Sequence, residues 1–205
     1  MAVAWLAVWI PTYAVFYGLG NFVHLCDVAV LLACVGLWRG SALLLSMPAL
    51  TSILIDLTWD LDLGWRLVTG RHLLGGTEYM WETKYPLWVR LLSLFHLVLP
   101  VLLLWALRRV GYDRRALVIQ SLLGLPLIAL ARLVGPEANV NFAWRDPFFH
   151  RSWGPAPVHV LVIFAGLLAI VYVPTHAALS ALYRRKMVEL DHNTEKGIPD
   201  DDQLA

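Results

Sequence analysis

Long apolar runs alternate with short polar segments along this chain. The six longest runs lie at residues 2–17, 20–38, 41–58, 87–107, 116–134 and 157–182. The hydrocarbon core of a bilayer is about 30 Å thick, and a helix of about 20 apolar residues crosses it. The pattern therefore predicts an all-α integral membrane protein whose residues 1–186 form a compact bundle of about six transmembrane helices. The polar, acidic stretch 187–205 predicts a disordered cytoplasmic tail.

The first run is the weakest of the six candidates. It is short and contains Pro11, so we expect this segment to kink or to insert only partway. If it does not span, the bundle has five transmembrane helices and the N-terminus changes side. Gly18 and Gly20 predict a tight turn before the second run.

The composition agrees with a membrane location. Of the 205 residues, 59% are hydrophobic and 15% are charged, and the mean hydropathy is +0.64. Soluble domains average about 45–50% apolar and about 25% charged residues. The formal net charge of +1 gives no indication of a nucleic-acid partner. Cys26 and Cys34 lie about 12 Å apart along one predicted helix, so no disulfide is expected between them.

Basic residues mark one side of the predicted bundle. The segment Arg108 to Arg115 (RRVGYDRR) separates the fourth and fifth runs, and Tyr183 to Lys186 (YRRK) follows the sixth. Two crossings separate these segments, so both lie on the same side, which the positive-inside rule makes cytoplasmic. The long connections 59–86 and 135–156 then face outward. The N-terminus lacks a basic start and a clear cleavage site, so we expect it to be retained.

Polar side chains collect near the outward ends of the predicted helices. Ionisable groups inside a span are costly and are functional candidates by default. The set comprises Asn21, His24, Cys26, Asp27, Asp56, Asp60, His96, Arg132, Asn141 and His159. Because several helices bring these groups to one depth, they predict a water-accessible cavity that opens outward or toward the outer leaflet. The alternative is that they only hydrogen-bond one another and hold the helices in register.

A thiol and an imidazole at one depth could act as a nucleophile and its base. His24 is two residues before Cys26, and such positions on a helix point apart. His96, which comes from another helix, is therefore the better candidate base for Cys26. Asp27 is expected to pair with Arg132 or to orient a histidine.

The same polar groups could also bind a metal, since they include nitrogen and oxygen ligands suited to Zn²⁺ or iron. However, the sequence contains no H-x-x-x-H or C-x-x-C spacing, no phosphate-binding glycine loop and no G-x-S-x-G. No cofactor is therefore predicted, and a metal stays a weaker alternative.

The segment His24 to Ala29 (HLCDVA) resembles the L-C-D segment of the YwaF-like bacterial membrane proteins, which are related to the eukaryotic transmembrane protein 164 lipid acyltransferases. Three further segments agree in order: SLFHLVLP, ANVNFAWRDP and WGPAPVHVLV. The similarity covers most of residues 20–180. It implies Cys26 as the acyl-accepting nucleophile, His96 as its base and Asn141 at the edge of the site, in a protein of the bacterial inner membrane.

Two departures from the family pattern bear on the chemistry more than on the fold. Phe22 and Val23 stand where the family usually has a proline, and Phe142 stands where a tyrosine is typical. A chain with these changes could keep the bundle and alter the reaction.

Three functions are compatible with these observations. The first is a lipid acyltransferase or acyl hydrolase that uses Cys26 and His96 on a membrane lipid. The second is a non-catalytic membrane module that binds a lipid, an ion or a partner helix. The third is a metal-dependent membrane enzyme. A homo-oligomer is compatible with each of them.

Overall fold

Six α-helices run through residues 2–183, the part of the chain that the computed structural model describes. They are α1 (Ala2–Phe16), α2 (Leu25–Arg39), α3 (Ala42–Thr69), α4 (Leu87–Val110), α5 (Ala116–Ala131) and α6 (Ala156–Tyr183). No strand occurs within residues 2–183. The prediction of an all-α bundle of about six helices is confirmed. The predicted tail at 187–205 lies outside the described residues.

Three of these helices are long and apolar enough to cross a membrane. Helices α3, α4 and α6 contain 28, 24 and 28 residues, whereas α1 and α5 are apolar but shorter. At 1.5 Å per residue, α3 is about 42 Å long and exceeds a bilayer core of about 30 Å. One end of α3 therefore projects beyond the apolar layer.

Helix α3 lies at the centre of the bundle. It packs against α2, α4 and α5, and also against a π-helical stretch of α6 at Leu168–Tyr172. Helices α2 and α3 approach each other closely beside the turn that joins them, since a Cβ on Gly36 would lie 3.0 Å from the carbonyl carbon of Leu44. The hydroxyl of Ser41 accepts the Leu44 N–H at 3.3 Å and caps the start of α3.

The second predicted run is divided at His24. A 3₁₀ helix covers Leu19–Val23, the His24 backbone is extended, and α2 begins only at Leu25. The prediction of one continuous helix through His24 and Cys26 is therefore wrong, and the argument that a helix points them apart does not apply. A contact distant in sequence causes the break, because the Asn141 side chain binds the Val23 carbonyl and the Leu25 N–H at 2.9 and 3.0 Å.

Helix α3 also differs from its prediction, since it continues to Thr69 rather than ending at residue 58. Its added turns carry Asp60, Asp62 and Arg66, which ended the apolar run in the sequence. The helix stops at Gly70, whose positive φ of 74° favours glycine.

Candidate functional site

Four of the predicted site residues meet at one end of the bundle, and we call this group the thiol centre. Helix α2 contributes Cys26 and Asp27 from its first turn, α3 contributes Asp56 and α4 contributes His96. Asp27, Asp56 and His96 are 2%, 0% and 7% exposed. Cys26 is half-buried.

The hydrogen bonds of His96 determine which ring nitrogen carries the proton. Nδ1 lies 2.7 Å from the Ser93 carbonyl oxygen, which can only accept, so Nδ1 carries a hydrogen. In the neutral ring Nε2 is then an acceptor, and it lies 4.0 Å from Oδ1 of Asp56. His96 therefore presents its basic nitrogen to the interior of the thiol centre.

Asp56 is a buried carboxyl group whose hydrogen-bonding capacity is largely unused within the described part of the chain. Among the described residues, neither of its oxygens has a partner in full hydrogen-bond geometry, although the Ser52 hydroxyl lies nearby. Asp60, one turn later, is within electrostatic range of Asp56, and its Oδ1 has no partner either. Buried polar groups are nearly always paired, so unpartnered ones are expected to meet a proton, water or a ligand in the working protein.

The Cys26 thiol has acidic side chains as neighbours. Its Sγ is 4.0 Å from Oδ1 of Asp27 and within electrostatic range of Asp56. No hydrogen bond joins Cys26 to His96 among the described residues, so Asp56 is the group that contacts the histidine and interacts with the thiol. His24 is within electrostatic range of His96.

The second oxygen of Asp27 accepts a hydrogen bond of 2.6 Å from the Asn21 amide. This bond ties the 3₁₀ segment to the first turn of α2. It replaces the predicted partnership of Asp27 with Arg132, which binds elsewhere.

Aromatic and hydroxyl side chains that the sequence interpretation missed surround the thiol centre. The Trp59 ring stacks on His96 with centroids 4.6 Å apart, and the Tyr13 hydroxyl lies 2.7 Å from that of Ser93. The Tyr79 hydroxyl lies beside Ser93 and Trp59 and within electrostatic range of Cys26. Helical spacing could have indicated Trp59 and Ser93, which are three residues from Asp56 and His96. No pattern indicated Tyr79, which lies in a loop.

The other predicted site residues form a separate cluster, the loop junction, made of Arg132, Asn141 and His159. Arg132 donates to the Ala143 carbonyl at 2.6 Å and stacks over the Trp144 ring at 3.8 Å. Asn141 has a φ of 52°, and its side chain hydrogen-bonds the Val23 carbonyl and the Leu25 N–H, on either side of His24. It therefore positions the first turn of α2, which carries Cys26.

His159 is fully engaged at the loop junction. Its Nε2 lies 3.0 Å from the Phe142 carbonyl oxygen and therefore carries the hydrogen, while Nδ1 accepts the Trp153 N–H at 3.2 Å. The side chain is 0% exposed. Both nitrogens of His159 thus hold the loop before α6, and neither is left for chemistry.

A concave apolar surface lies away from the thiol centre, between α5 and α6. This groove has a volume of about 340 Å³. Its lining residues are Leu117, Val118, Ser121, Leu122, Leu125, Phe164 and Leu168. It differs from the predicted polar cavity in both position and character.

Within residues 2–183, no group of three or more histidine, cysteine, aspartate or glutamate side chains is arranged to hold a metal ion. Comparison of the chain with protein-family models, with curated proteins and with solved structures finds no match. The resemblance to the YwaF-like proteins therefore stays a prediction.

Proposed function

We propose that this chain is an integral membrane enzyme that transfers or hydrolyses an acyl group of a lipid through a thioester on Cys26. The supporting observation is the thiol centre itself, in which three helices bring a half-buried cysteine, a buried carboxyl group and a histidine with a basic nitrogen to one place. The resemblance to the YwaF-like and transmembrane protein 164-like proteins favours the same chemistry.

In the first half-reaction, the Cys26 sulfur attacks the carbonyl carbon of a lipid ester. The C–S bond forms, the C–O bond to the lysolipid breaks, and the thiol proton passes to His96 Nε2 and on to the leaving oxygen. The Asp56 carboxyl oxygen Oδ1, 4.0 Å from Nε2, faces the transient imidazolium and stabilises it.

In the second half-reaction, an acceptor hydroxyl attacks the thioester carbonyl. His96 takes the proton of that hydroxyl, the C–S bond breaks, and the proton returns to the sulfur. A lipid hydroxyl as acceptor makes the enzyme an acyltransferase, and water makes it a hydrolase.

We also propose an orientation in which the basic loop 108–115 is cytoplasmic and the thiol centre lies in the outer half of a bacterial inner membrane. The half-buried position of Cys26 among apolar helices suits a lipid that enters laterally from the outer leaflet. Membrane lipid is thus the proposed substrate.

The apolar groove between α5 and α6 favours a second candidate, a non-catalytic module that binds a lipid chain. This alternative expects Cys26→Ser to have no effect on the protein's function, whereas the enzyme hypothesis expects a complete loss of acyl transfer.

Labelling with an alkyne-bearing fatty acyl ester tests the proposal. The full chain, purified in detergent, is expected to form a Cys26 adduct that disappears in Cys26→Ala and forms far more slowly in His96→Ala. Cys34→Ala is the matched control and is expected to label like the wild type, because Cys34 lies two turns away in an apolar part of α2. Equal labelling of the wild type and Cys26→Ala would refute the enzyme hypothesis.

A further inference from the structure

Loop 70–86, between α3 and α4, is folded back onto α3 by a single carboxylate. The Asp62 side chain is 0% exposed. Its oxygens accept N–H groups of Leu73, Leu74 and Gly75 at 2.7, 2.8 and 3.0 Å, and His72 Nδ1 lies at 2.9 Å. The Thr77 hydroxyl donates to the same carboxylate. We call this arrangement the Asp62 clasp.

The clasp leads directly into a 3₁₀ turn at Glu78–Trp81. This turn is held from two further directions. The Arg90 guanidinium donates to the Met80 carbonyl, and the Arg66 guanidinium lies over the Trp81 ring, 5.3 Å from its centroid. The backbone of Tyr79 is therefore fixed relative to both α3 and α4.

From this turn the Tyr79 side chain points into the bundle. Its ring packs edge-on against Tyr17, with centroids 6.3 Å apart. Its hydroxyl is close to the Ser93 hydroxyl and to the Trp59 indole. The Nε1 of that indole makes no well-aligned hydrogen bond within the described part of the chain. The same hydroxyl is within electrostatic range of the Cys26 thiol. A neutral O–H donor therefore packs against Ser93, whose carbonyl binds His96, within electrostatic range of the proposed nucleophile.

Burial raises the pKa of Tyr79 well above its usual value near 10. The hydroxyl therefore keeps its proton at any physiological pH and can serve as a hydrogen-bond donor. It cannot serve as a general base there, which leaves that role to His96.

We propose that Tyr79 is a further catalytic residue, whose hydroxyl donates a hydrogen bond to the acyl carbonyl oxygen while Cys26 attacks the carbonyl carbon. This inference rests on the proposed acyl-transfer function. As the C–S bond forms, the carbonyl π electrons move onto oxygen, and the Tyr79 O–H stabilises that negative charge. When the C–O bond to the leaving group breaks, the electrons return and Tyr79 still holds its own proton. Asp62 is a positioning residue, because it acts on the reaction only through the loop.

Two reactions of the same thiol distinguish this role from a structural one. Acylation by p-nitrophenyl decanoate passes through an oxyanion, whereas alkylation by iodoacetamide does not. Both rates are measured by intact mass on the full chain in detergent, in a Cys34→Ala background that leaves one thiol. The test variant is Tyr79→Phe. The matched control is Tyr85→Phe, since Tyr85 comes from the same loop and packs on Tyr17 at 4.6 Å.

Tyr79→Phe is expected to slow acylation of Cys26 by about 100-fold, as the loss of one oxyanion donor does in other enzymes. Alkylation is expected to stay within about twofold of the parent rate, and Tyr85→Phe is expected to leave both rates unchanged.

Each contrary outcome has a distinct meaning. If the parent protein forms no Cys26 acyl adduct, the proposed function and this inference both fail. If the parent acylates and Tyr79→Phe acylates equally fast, only the role of Tyr79 fails. If acylation and alkylation slow together in Tyr79→Phe, the residue shapes the site without stabilising the oxyanion, which also overturns the inference.

Discussion

Replacing Asp62 by alanine should open loop 70–86 without unfolding the bundle. The carboxylate accepts five hydrogen bonds, three of them from consecutive backbone N–H groups. A hydrogen bond to a charged group contributes about 1.5–3 kcal/mol. The five do not add, because the released donors reach water once the loop lifts, so we expect a loss of about 3–4 kcal/mol in the free energy of loop opening.

Each 1.4 kcal/mol corresponds to about tenfold in an equilibrium constant, so the opening constant should rise by about 10²- to 10³-fold. Amide hydrogen exchange of peptides covering residues 70–81 measures this change directly, since protection there reports local opening. Peptides from the middle of α3 and α4 should keep their protection, because Leu50 and Leu103 belong to a hydrophobic cluster that includes no residue of the Asp62 clasp.

Glu78→Gln is the matched control from the same loop. Glu78 accepts one exposed hydrogen bond, from the Gly76 N–H at 2.6 Å, and its replacement should change protection by less than about tenfold. Unchanged protection of residues 70–81 in Asp62→Ala would refute the clasp. An equal loss of protection in the loop and in the middle of α3 would show that Asp62 supports the whole bundle instead.

Three further substitutions test the packing and the charge of other parts of the chain. Gly36→Ala should lower Tm, at a cost of about 1–3 kcal/mol, because its Cβ would press on the Leu44 backbone at 3.0 Å. Gly64→Ala, where the new Cβ meets no atom within 4 Å, should instead raise Tm through a gain of about 1 kcal/mol in helix propensity. Near Asp146, burial alone would raise the carboxyl pKa, but three backbone N–H groups of its own loop lower that pKa below the ordinary value. The stabilisation is therefore present above about pH 4 and is lost as the pH falls through the lowered pKa. The test is the rate of pepsin cleavage between Phe148 and Phe149. The ratio of the parent rate to the Asp146→Asn rate should rise toward one as the pH falls from 4 to 2. A constant ratio would contradict this.

The helices were predictable because each apolar run is longer than a soluble helix usually needs. The interruptions were not predictable, because distant residues cause them. His24 leaves the helix where Asn141, more than a hundred residues later in the chain, takes the Leu25 N–H. Helix α3 passes its apolar limit at residue 58 because Asp62 is buried against a loop that follows it.

His96 and His159 show how far the candidate site could be anticipated. His96 lies about ten residues into the apolar run 87–107 and His159 lies at the start of the run 157–182, and no local spacing distinguishes their roles. The hydrogen bonds do, since both nitrogens of His159 bind the backbone whereas Nε2 of His96 faces Asp56. The choice of partner depends on tertiary geometry, which a pattern of residue types in one chain does not contain.

The position of Tyr79 could not be predicted from the sequence either, because a loop and not a helix brings it to the thiol centre. Its position depends on the Asp62 clasp, whose hydrogen bonds lie beyond the hydrophobic core that stabilises the bundle. Stability of the fold and competence of the site are therefore separable in this protein. Substitutions in the clasp should change acylation of Cys26 at nearly constant Tm, whereas substitutions in the core, such as Leu103→Ala, should lower Tm by removing packing that both share.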